Sequence, residues 1–285
     1  MIKKLLTITL SLMMIFTSFV PVFAEGEEVN IVGQYGIVID KDTGQVLYNK
    51  NAHDKMYPAS ITKILTCIVA IEMLDDLDKT ATITQSDIDT VWETGATSAD
   101  FTVGEVVTYR DMLMGAMLPS GADACRALAN NTCGSQEKFV EKMNQLVKKL
   151  GLKDSHFVNT TGIHDDDHYT TAYDLYLIFN EALKQPEFRK VTGTTSYTAD
   201  YTDGSGNPVS TTWEGGNWYM VGQRQTPDGL TVLSGKTGTT SAAGFCLIMA
   251  EKDTSDREFI SVVLKSDSRP HLYDNMTNII SKIVD

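Results

Sequence analysis

Apolar runs of strand length lie at both ends of the chain, and helix-like apolar spacing fills the stretch between them. Residues 34–49 form two short runs around Asp42-Thr43-Gly44, a pattern that predicts a β-hairpin. Further strands are predicted at residues 231–237, 245–251 and 258–265, and a closing helix over about 270–283. Because strands from both ends can complete one sheet, the pattern predicts an α/β (α+β) fold with an antiparallel sheet flanked by helices.

The middle of the chain has apolar residues at helical spacing. Ser60 to Leu74 has the length and spacing of a helix, with Pro58 just outside it. Four more helices are predicted at residues 108–117, 121–132, 136–150 and 171–184, with a loop at 152–170. The pattern therefore predicts an all-helical subdomain, about residues 80–185, inserted into the sheet, and no second domain after the closing helix.

The first 24 residues have the organisation of a secretory signal peptide. Lys3 and Lys4 precede a long apolar run, which ends at Val22-Phe23-Ala24. Cleavage there leaves residues 25–285 as one domain of an exported protein. The alternative is an uncleaved N-terminal anchor, since the run is about as long as a short membrane span. Membrane association is expected only through this segment.

Charge and cysteine content narrow the classes of partner. The formal net charge is −13, and removal of the two lysines of the signal segment leaves −15. Such an acidic surface argues against nucleic acid or anionic lipid as a partner held by bulk charge. The cysteines lie in apolar or small-residue stretches without Cys-x-x-Cys spacing, which predicts buried free thiols at Cys67, Cys125, Cys133 and Cys246.

The first candidate for chemistry is Ser60-Ile61-Thr62-Lys63. Positions i and i+3 share one face of a helix, so the Lys63 amine can reach the Ser60 hydroxyl. A serine needs an adjacent base to become a nucleophile, and a desolvated lysine can serve. The same spacing recurs at Ser135 and Lys138, where helix entry and solvent exposure explain it, so the spacing alone is a weak signal.

Two other stretches have both a structural and a chemical interpretation. Ser120 with Asp123 fits a capping box at the start of a helix. Lys236-Thr237-Gly238 lies at the end of a predicted strand and fits a solvated hairpin turn. By itself the stretch favours the turn, but it also fits a lysine and hydroxyl that hold a carboxylate, with the glycine allowing close approach of a substrate backbone.

Together the three motifs follow the order and context seen in active-site-serine, penicillin-interacting enzymes. The chain resembles the D-alanyl-D-alanine carboxypeptidases, the low-molecular-mass penicillin-binding proteins, along nearly all of residues 25–285. The stretches that carry the resemblance are YPASITKILT, MLPSGADACRALA, KKLGLKDSHFVNTTGIHDDDHYTTAYDL and SGKTGTTSAAGFCLIMAE. The resemblance implies a β-lactamase/penicillin-binding-protein-like fold, a peptidoglycan stem peptide ending in D-Ala-D-Ala as substrate, β-lactams as covalent inhibitors, and no cofactor.

The resemblance also implies roles for individual residues. Ser60 would be the nucleophile acylated by the penultimate D-Ala carbonyl, Lys63 its base, and Ser120 a proton relay toward the leaving group. The backbone N–H groups of Ser60 and Thr239 would form the oxyanion hole. The expected substrate-binding residues are Lys236, Thr237, Gly238, Thr239 and Arg269.

One position departs from the family pattern. The family usually has Ser-x-Asn where this chain has Ser120-Gly121-Ala122. Loss of one preorganised hydrogen-bond donor costs roughly a hundred- to a thousandfold in rate. We therefore expect attenuated turnover, and a binding or sensing protein with little turnover is the alternative from another class.

Two further alternatives are weaker. A class A β-lactamase shares the serine, lysine and Lys-Thr-Gly elements, but it activates water with a glutamate in a Glu-x-x-Leu-Asn loop, and no such sequence lies between Ser120 and Lys236. His164 and His168 have the i, i+4 spacing of zinc ligands on a helix. Gly162 and the absence of apolar periodicity predict a polar loop instead, so no metal site is expected.

Overall fold

A five-stranded antiparallel sheet, assembled from both ends of the chain, forms the centre of the protein. The computed structural model describes residue 29 and residues 31–284, and the predicted signal peptide, residues 1–24, lies outside them. The strands are β1 (Tyr35–Asp40), β2 (Val46–Lys50), β7 (Thr231–Thr240), β8 (Gly244–Lys252) and β9 (Glu258–Ser266). Their order is β2-β1-β9-β8-β7, so β7 is an edge strand. The predicted α+β class is confirmed.

The helices are α1 (Thr62–Met73), α2 (Gln85–Thr94), α3 (Tyr109–Met117), α4 (Ala122–Cys133), α5 (Gln136–Lys149), α6 (Ala172–Ala182), α7 (Pro186–Gly193) and α8 (Arg269–Ile280). The sheet is contacted by helices α6, α7 and α8, and the remaining helices pack beyond them. Side chains alternate between the two faces of a strand. Ile37 and Ile248 accordingly point into the core that contains α1, whereas Val38 and Leu247 pack with α8.

Helix α1 is surrounded by other elements. It contacts α3, α4, α5, α6 and α7, and nine of its twelve residues are buried. A helix that is apolar on all sides is stable only in such an interior position. Its N-terminal end is therefore held firmly, and this is the end that carries Ser60 and Lys63.

A second antiparallel sheet corrects the prediction of an all-helical insertion. Its strands are β3 (Thr80–Thr82), β4 (Val106–Thr108), β5 (Ser196–Thr202) and β6 (Pro208–Glu214), in the order β3-β4-β5-β6. These segments escaped prediction because they are short or rich in hydroxyl and charged residues. Strand β6 buries only Trp213, and β5 buries only Ala199 and Tyr201.

Most cysteines are buried free thiols, as predicted. Cys67, Cys125 and Cys246 are buried, and Cys133 is half-buried, with its Sγ 3.7 Å from Met73 Sδ. Burial raises the pKa of Cys125 to about 11, so this thiol stays protonated at neutral pH.

Within the described part of the chain, no helix has the length and apolar character needed to cross a membrane.

Candidate active site

The N-terminal end of α1 brings Ser60 and Lys63 together. Ser60 lies in a single 3₁₀ turn, Ala59–Ile61, that leads into the helix. Lys63 Nζ donates a hydrogen bond to Ser60 Oγ over 2.9 Å, the contact that the i, i+3 spacing predicts. The backbone at Ala59 has a φ of 49°, a left-handed conformation that non-glycine residues adopt at some cost and that clusters at functional sites.

A loop from the middle of the chain fixes the Lys63 amine. The carbonyl oxygen of Thr161 accepts a second hydrogen bond from Lys63 Nζ, over 2.8 Å. Asn159 shapes this loop, because its Oδ1 accepts from the backbone N–H groups of Thr161 and Gly162. Lys63 is 2% exposed, and burial, which disfavours the charged ammonium, lowers its pKa. A lysine in this state can act as a base.

Gly162 lets the same loop approach the nucleophile. Its φ is 85°, and a Cβ at this position would overlap the Ala59 carbonyl oxygen. Sequence reasoning used Gly162 only as the signal of a loop and gave Asn159 no role, although both lie in the Asn-Thr-Thr-Gly stretch that carries part of the resemblance. Their roles depend on contacts with α1, about a hundred residues away, which spacing does not reveal.

The two histidines of this loop have different environments. His168 Nδ1 accepts from the Val158 N–H, and its Nε2 lies 2.8 Å from Thr62 Oγ1. Burial lowers the pKa of His168 to about 4, so the ring is neutral at pH 7 and Nε2 is the donor. His164 lies on the cleft wall with its ring edge against Tyr57. Neither ring is on a helix, and the described residues contain no cluster of three potential metal ligands.

Ser120 faces the edge strand rather than capping a helix. Lys236 Nζ donates to Ser120 Oγ over 3.0 Å. The residue that caps α4 is Gly121, and no side chain makes the cap hydrogen bond, so the capping-box prediction was wrong. The physical reason is that the Ser120 φ of 64° turns its hydroxyl toward Lys236, while Asp123 accepts from the backbone N–H groups of Ala99 and Phe101.

The charge of Lys63 affects the second lysine of the site, Lys236. Lys236 is 3% exposed. Burial, and then repulsion from Lys63, lowers the pKa of Lys236 to about 7. Each lysine thus has one serine hydroxyl as a partner, and the pair does not readily hold two positive charges.

Ala122, the residue that departs from the family pattern, has an apolar side chain that adds no hydrogen-bonding group to the site. Ala122 is fully buried, and its backbone N–H donates to the Thr97 carbonyl oxygen over 2.8 Å. Thr97 lies on the rim of the cleft, and its Oγ1 donates to the Ser120 carbonyl oxygen. This hydroxyl supports the turn that carries Ser120.

An open cleft of about 390 Å³ joins these groups. Gly238 is required where β7 meets the nucleophile, since a Cβ there would lie 2.9 Å from the Ser60 nitrogen. The structure brings all the predicted site residues together. Lys236 bonds to Ser120, and every other predicted site residue lines the cleft. The predicted residues that line it are Ser60, Lys63, Ser120, Thr237, Gly238, Thr239 and Arg269.

The site contains a serine–lysine pair in a cleft, a second serine on an interhelical turn and a lysine on an edge strand. On this mixed fold, these features define the class of DD-peptidases and penicillin-binding proteins. The chain belongs to the D-alanyl-D-alanine carboxypeptidase family, peptidase family S11, whose sequence model matches residues 23–268.

Individual relatives support this membership. The chain is 35% identical to D-alanyl-D-alanine carboxypeptidase DacF of Bacillus subtilis, over 88% of this chain and 63% of that protein. It is 34% identical to the D-alanyl-D-alanine carboxypeptidase of Streptomyces sp. strain K15, over 86% of this chain and 85% of that one. The crystal structure of the Streptomyces K15 DD-transpeptidase is similar at a TM-score of 0.83 and 32% identity, covering 89% of this chain and 97% of that one. The chain therefore spans less than two thirds of the B. subtilis relative.

Proposed function

We propose that the protein is a serine-type D-Ala-D-Ala carboxypeptidase that removes the terminal D-alanine from peptidoglycan stem pentapeptides. The observation that carries the proposal is the contact between Lys63 Nζ and Ser60 Oγ, 2.9 Å long, in the lining of an open cleft. A nucleophile and a base within hydrogen-bond reach are the minimum that covalent acyl transfer requires.

In the acylation step, Ser60 Oγ attacks the carbonyl carbon of the penultimate D-Ala while Lys63 Nζ takes the hydroxyl proton. The backbone N–H groups of Ser60 and Thr239 donate to the developing oxyanion, which is typically worth a factor of roughly a hundred to a thousand per donor. The proton taken by Lys63 passes through Ser120, which is bonded to Lys236, to the leaving nitrogen, so D-alanine departs and Lys63 is neutral again. Water then attacks the ester and gives a proton to Lys63, which returns it to Ser60 Oγ as the ester bond breaks.

Recognition of the substrate depends on its C-terminal carboxylate. The Thr237 and Thr239 hydroxyls lie along the edge strand, and Arg269 begins α8 at the rim of the same cleft. Hydroxyl donors together with a guanidinium form a suitable site for a carboxylate. A β-lactam, which carries a carboxylate beside a reactive amide, would acylate Ser60 in the same position.

The competing functions are less well supported. Family membership and the missing Glu-x-x-Leu-Asn loop disfavour a class A β-lactamase. A peptide- or penicillin-binding protein with low turnover is favoured by one observation, the buried Ala122 where the family usually has an amide.

The place of action follows from the substrate and the leader. We propose that residues 1–24 export the chain, that residues 25–285 form the catalytic domain, and that it works on the outer side of the cytoplasmic membrane, where peptidoglycan lies. Any membrane attachment would use an uncleaved leader. The acidic net charge of −13 argues against a nucleic-acid partner.

The test is release of D-alanine from a peptide ending in D-Ala-D-Ala. We expect release by the parent protein, none above background by Ser60→Ala, and undiminished release by Ser135→Ala. Ser135 is a matched control because it has the same spacing to a lysine, Lys138, but caps α5 instead. Release by Ser60→Ala at the parent rate would refute the assignment of the nucleophile.

The same assay separates an enzyme from a low-turnover binder. If the missing amide limits the reaction, Ala122→Asn gains roughly a hundred- to a thousandfold in D-alanine release, the effect of one preorganised donor. Acylation of Ser60 without D-alanine release, in parent and Ala122→Asn alike, would favour the binding protein.

A further inference from the structure

A small cavity lies beside the catalytic cleft, along the edge strand β7. It is lined by the end of α7, the segment 215–221 and residues 235–237 of β7, and Leu118, Gly216 and Thr237 border both the cavity and the cleft. Its volume is about 20 Å³. A cavity needs roughly 10–15 Å³ to hold one water, so this one accepts a single group of about that size.

One polar group in this cavity has no partner. Asn217 is 5% exposed and lines the cavity. Its Oδ1 accepts from the Tyr219 N–H over 3.1 Å, which fixes the orientation of the amide. Its Nδ2 has no hydrogen-bond acceptor among the described residues. An unsatisfied buried donor destabilises the folded protein, so its retention calls for an explanation.

The Nδ2 donor of Asn217 lies beside the same strand, β7, as the threonines proposed to hold the substrate. A Cβ on Gly235 would lie 2.8 Å from Asn217 Nδ2, so glycine leaves room for the amide on that face of β7. Alternation along a strand puts Gly235, Thr237 and Thr239 on the same face. The Asn217 amide therefore lies one two-residue step, about 7 Å, beyond Thr237.

We infer that this cavity is a subsite for the side chain of the residue that leaves, and that it takes a small hydrogen-bond acceptor. The inference rests on the proposed function, in which Thr237 holds the carboxylate of the leaving residue. The methyl group of D-alanine leaves Asn217 Nδ2 without an acceptor. The hydroxymethyl group of D-serine fits the same space, and its oxygen accepts from Nδ2.

The protein thus hydrolyses stem peptides ending in D-Ala-D-Ser as well as D-Ala-D-Ala. The reaction is the same acyl transfer, in which water replaces the terminal residue and D-serine is released. The size of the cavity restricts the side chain to about one polar atom beyond Cβ.

The test compares kcat/KM for peptides that end in D-alanine, D-serine or D-2-aminobutyrate. D-serine and D-2-aminobutyrate have the same size and differ only in hydroxyl against methyl. We expect the parent to favour D-serine over D-2-aminobutyrate by about tenfold, the effect of one hydrogen bond. Asn217→Leu should bring this ratio to about 1. Ser234→Ala, which removes another unpartnered buried polar atom from β7 but lies outside the cavity, should preserve it.

Each outcome bears on a different claim. Release of D-alanine without a preference for D-serine, or a preference that survives Asn217→Leu, overturns the subsite and leaves the proposed function intact. Failure to release any of the terminal residues overturns both. If Asn217→Leu does not fold, a crystal structure of Ser60→Ala with the D-serine peptide decides. The hydroxyl is expected within hydrogen-bond distance of Nδ2, and a water there with the hydroxyl elsewhere contradicts the inference.

Discussion

Two buried lysines dominate the chemistry at the scale of single residues. Lys63 and Lys236 are 2% and 3% exposed, and each donates to one serine hydroxyl. The pKa of each is lowered, first by burial and, for Lys236, next by the other lysine. One of the pair is therefore readily neutral near pH 7, which is the state a base requires.

This electrostatic coupling predicts the pH dependence of acylation. The rate of acylation of the parent by a labelled penicillin should rise with pH through a midpoint near 7, because the pKa of Lys236 is about 7 and the pair loses a proton there. Lys236→Arg should move the midpoint to lower pH, since a permanent guanidinium charge lowers the pKa of Lys63 further. The exposed Lys138→Arg is the control and should not move it. A rate that is flat across about pH 5 to 9 would contradict a lysine base.

Ser120 shows why the contacts of a single residue were harder to predict than the motif that contains it. The Ser60 to Lys63 contact follows from three residues of spacing, so the sequence contained it. The Ser120 to Lys236 contact joins residues 116 positions apart, and it depends on a positive φ at Ser120. Local capping preferences favoured another conformation, and the tertiary contact with β7 prevailed.

At the scale of elements, the loop of residues 156–170 and the start of α1 act as one unit. Thr160 and Thr161 present carbonyl oxygens to Thr66 Oγ1 and Lys63 Nζ. His168 bonds to Thr62, the first residue of the helix. The loop was predicted as irregular and polar, and its irregular backbone is what turns these carbonyls toward the helix.

Gly162 is the position where this unit is least tolerant of change. Gly162→Ala forces a Cβ into the Ala59 carbonyl at a φ of 85°, so we expect a loss of about 3 kcal/mol or more in the free energy of unfolding and at least tenfold slower acylation. Gly151→Ala is the matched control, because Gly151 has a φ of 75° with open space around it. That change should cost only about 1 kcal/mol from backbone strain. Equal costs in chemical denaturation would refute the close approach of the loop to Ala59.

His168 makes the attachment of the loop dependent on pH. Its pKa is about 4 in the folded protein, against about 6.5 in an unfolded chain, so folding favours the neutral ring. The stability from this group is complete above about pH 6.5 and is lost as pH falls toward 4. We expect the parent to lose about 3 kcal/mol more than His168→Gln between these pH values.

Urea denaturation at a series of pH values measures this difference. Glutamine has no titrating group, so His168→Gln is itself the reference for the pH dependence that arises from the rest of the chain. A His168→Gln variant that loses as much stability as the parent on acidification would show that His168 is not held neutral.

At the scale of the whole molecule, the central five-stranded sheet was predictable from the sequence and the four-stranded sheet was not. Strands β1, β8 and β9 have apolar runs because the central sheet is covered on both faces there. Strands β5 and β6 pair over seven residue positions but bury few side chains, so their sequences lack the apolar alternation that predicts a strand. Strand β5 joins this sheet by pairing with β4 at Thr202 and Val106, a contact that sequence spacing does not contain.

The same scale explains how distant motifs form one site. Strand β7 lies at the edge of the sheet, and Gly238 lets it lie against the turn that carries Ser60. An edge strand has free backbone groups for an extended peptide, and the cleft opens along it. The motif order predicted this assembly only through the family resemblance, whereas the contacts themselves come from the sheet topology.

The central claim is that Ser60 forms a covalent acyl-enzyme, and intact-protein mass spectrometry after exposure to a penicillin tests it most directly. We predict a mass increase of one penicillin per chain in the parent and in Ser135→Ala, located by peptide mapping to the peptide containing Ser60. Ser60→Ala should show no adduct. An adduct on another residue, or an equal adduct on Ser60→Ala, would contradict the account.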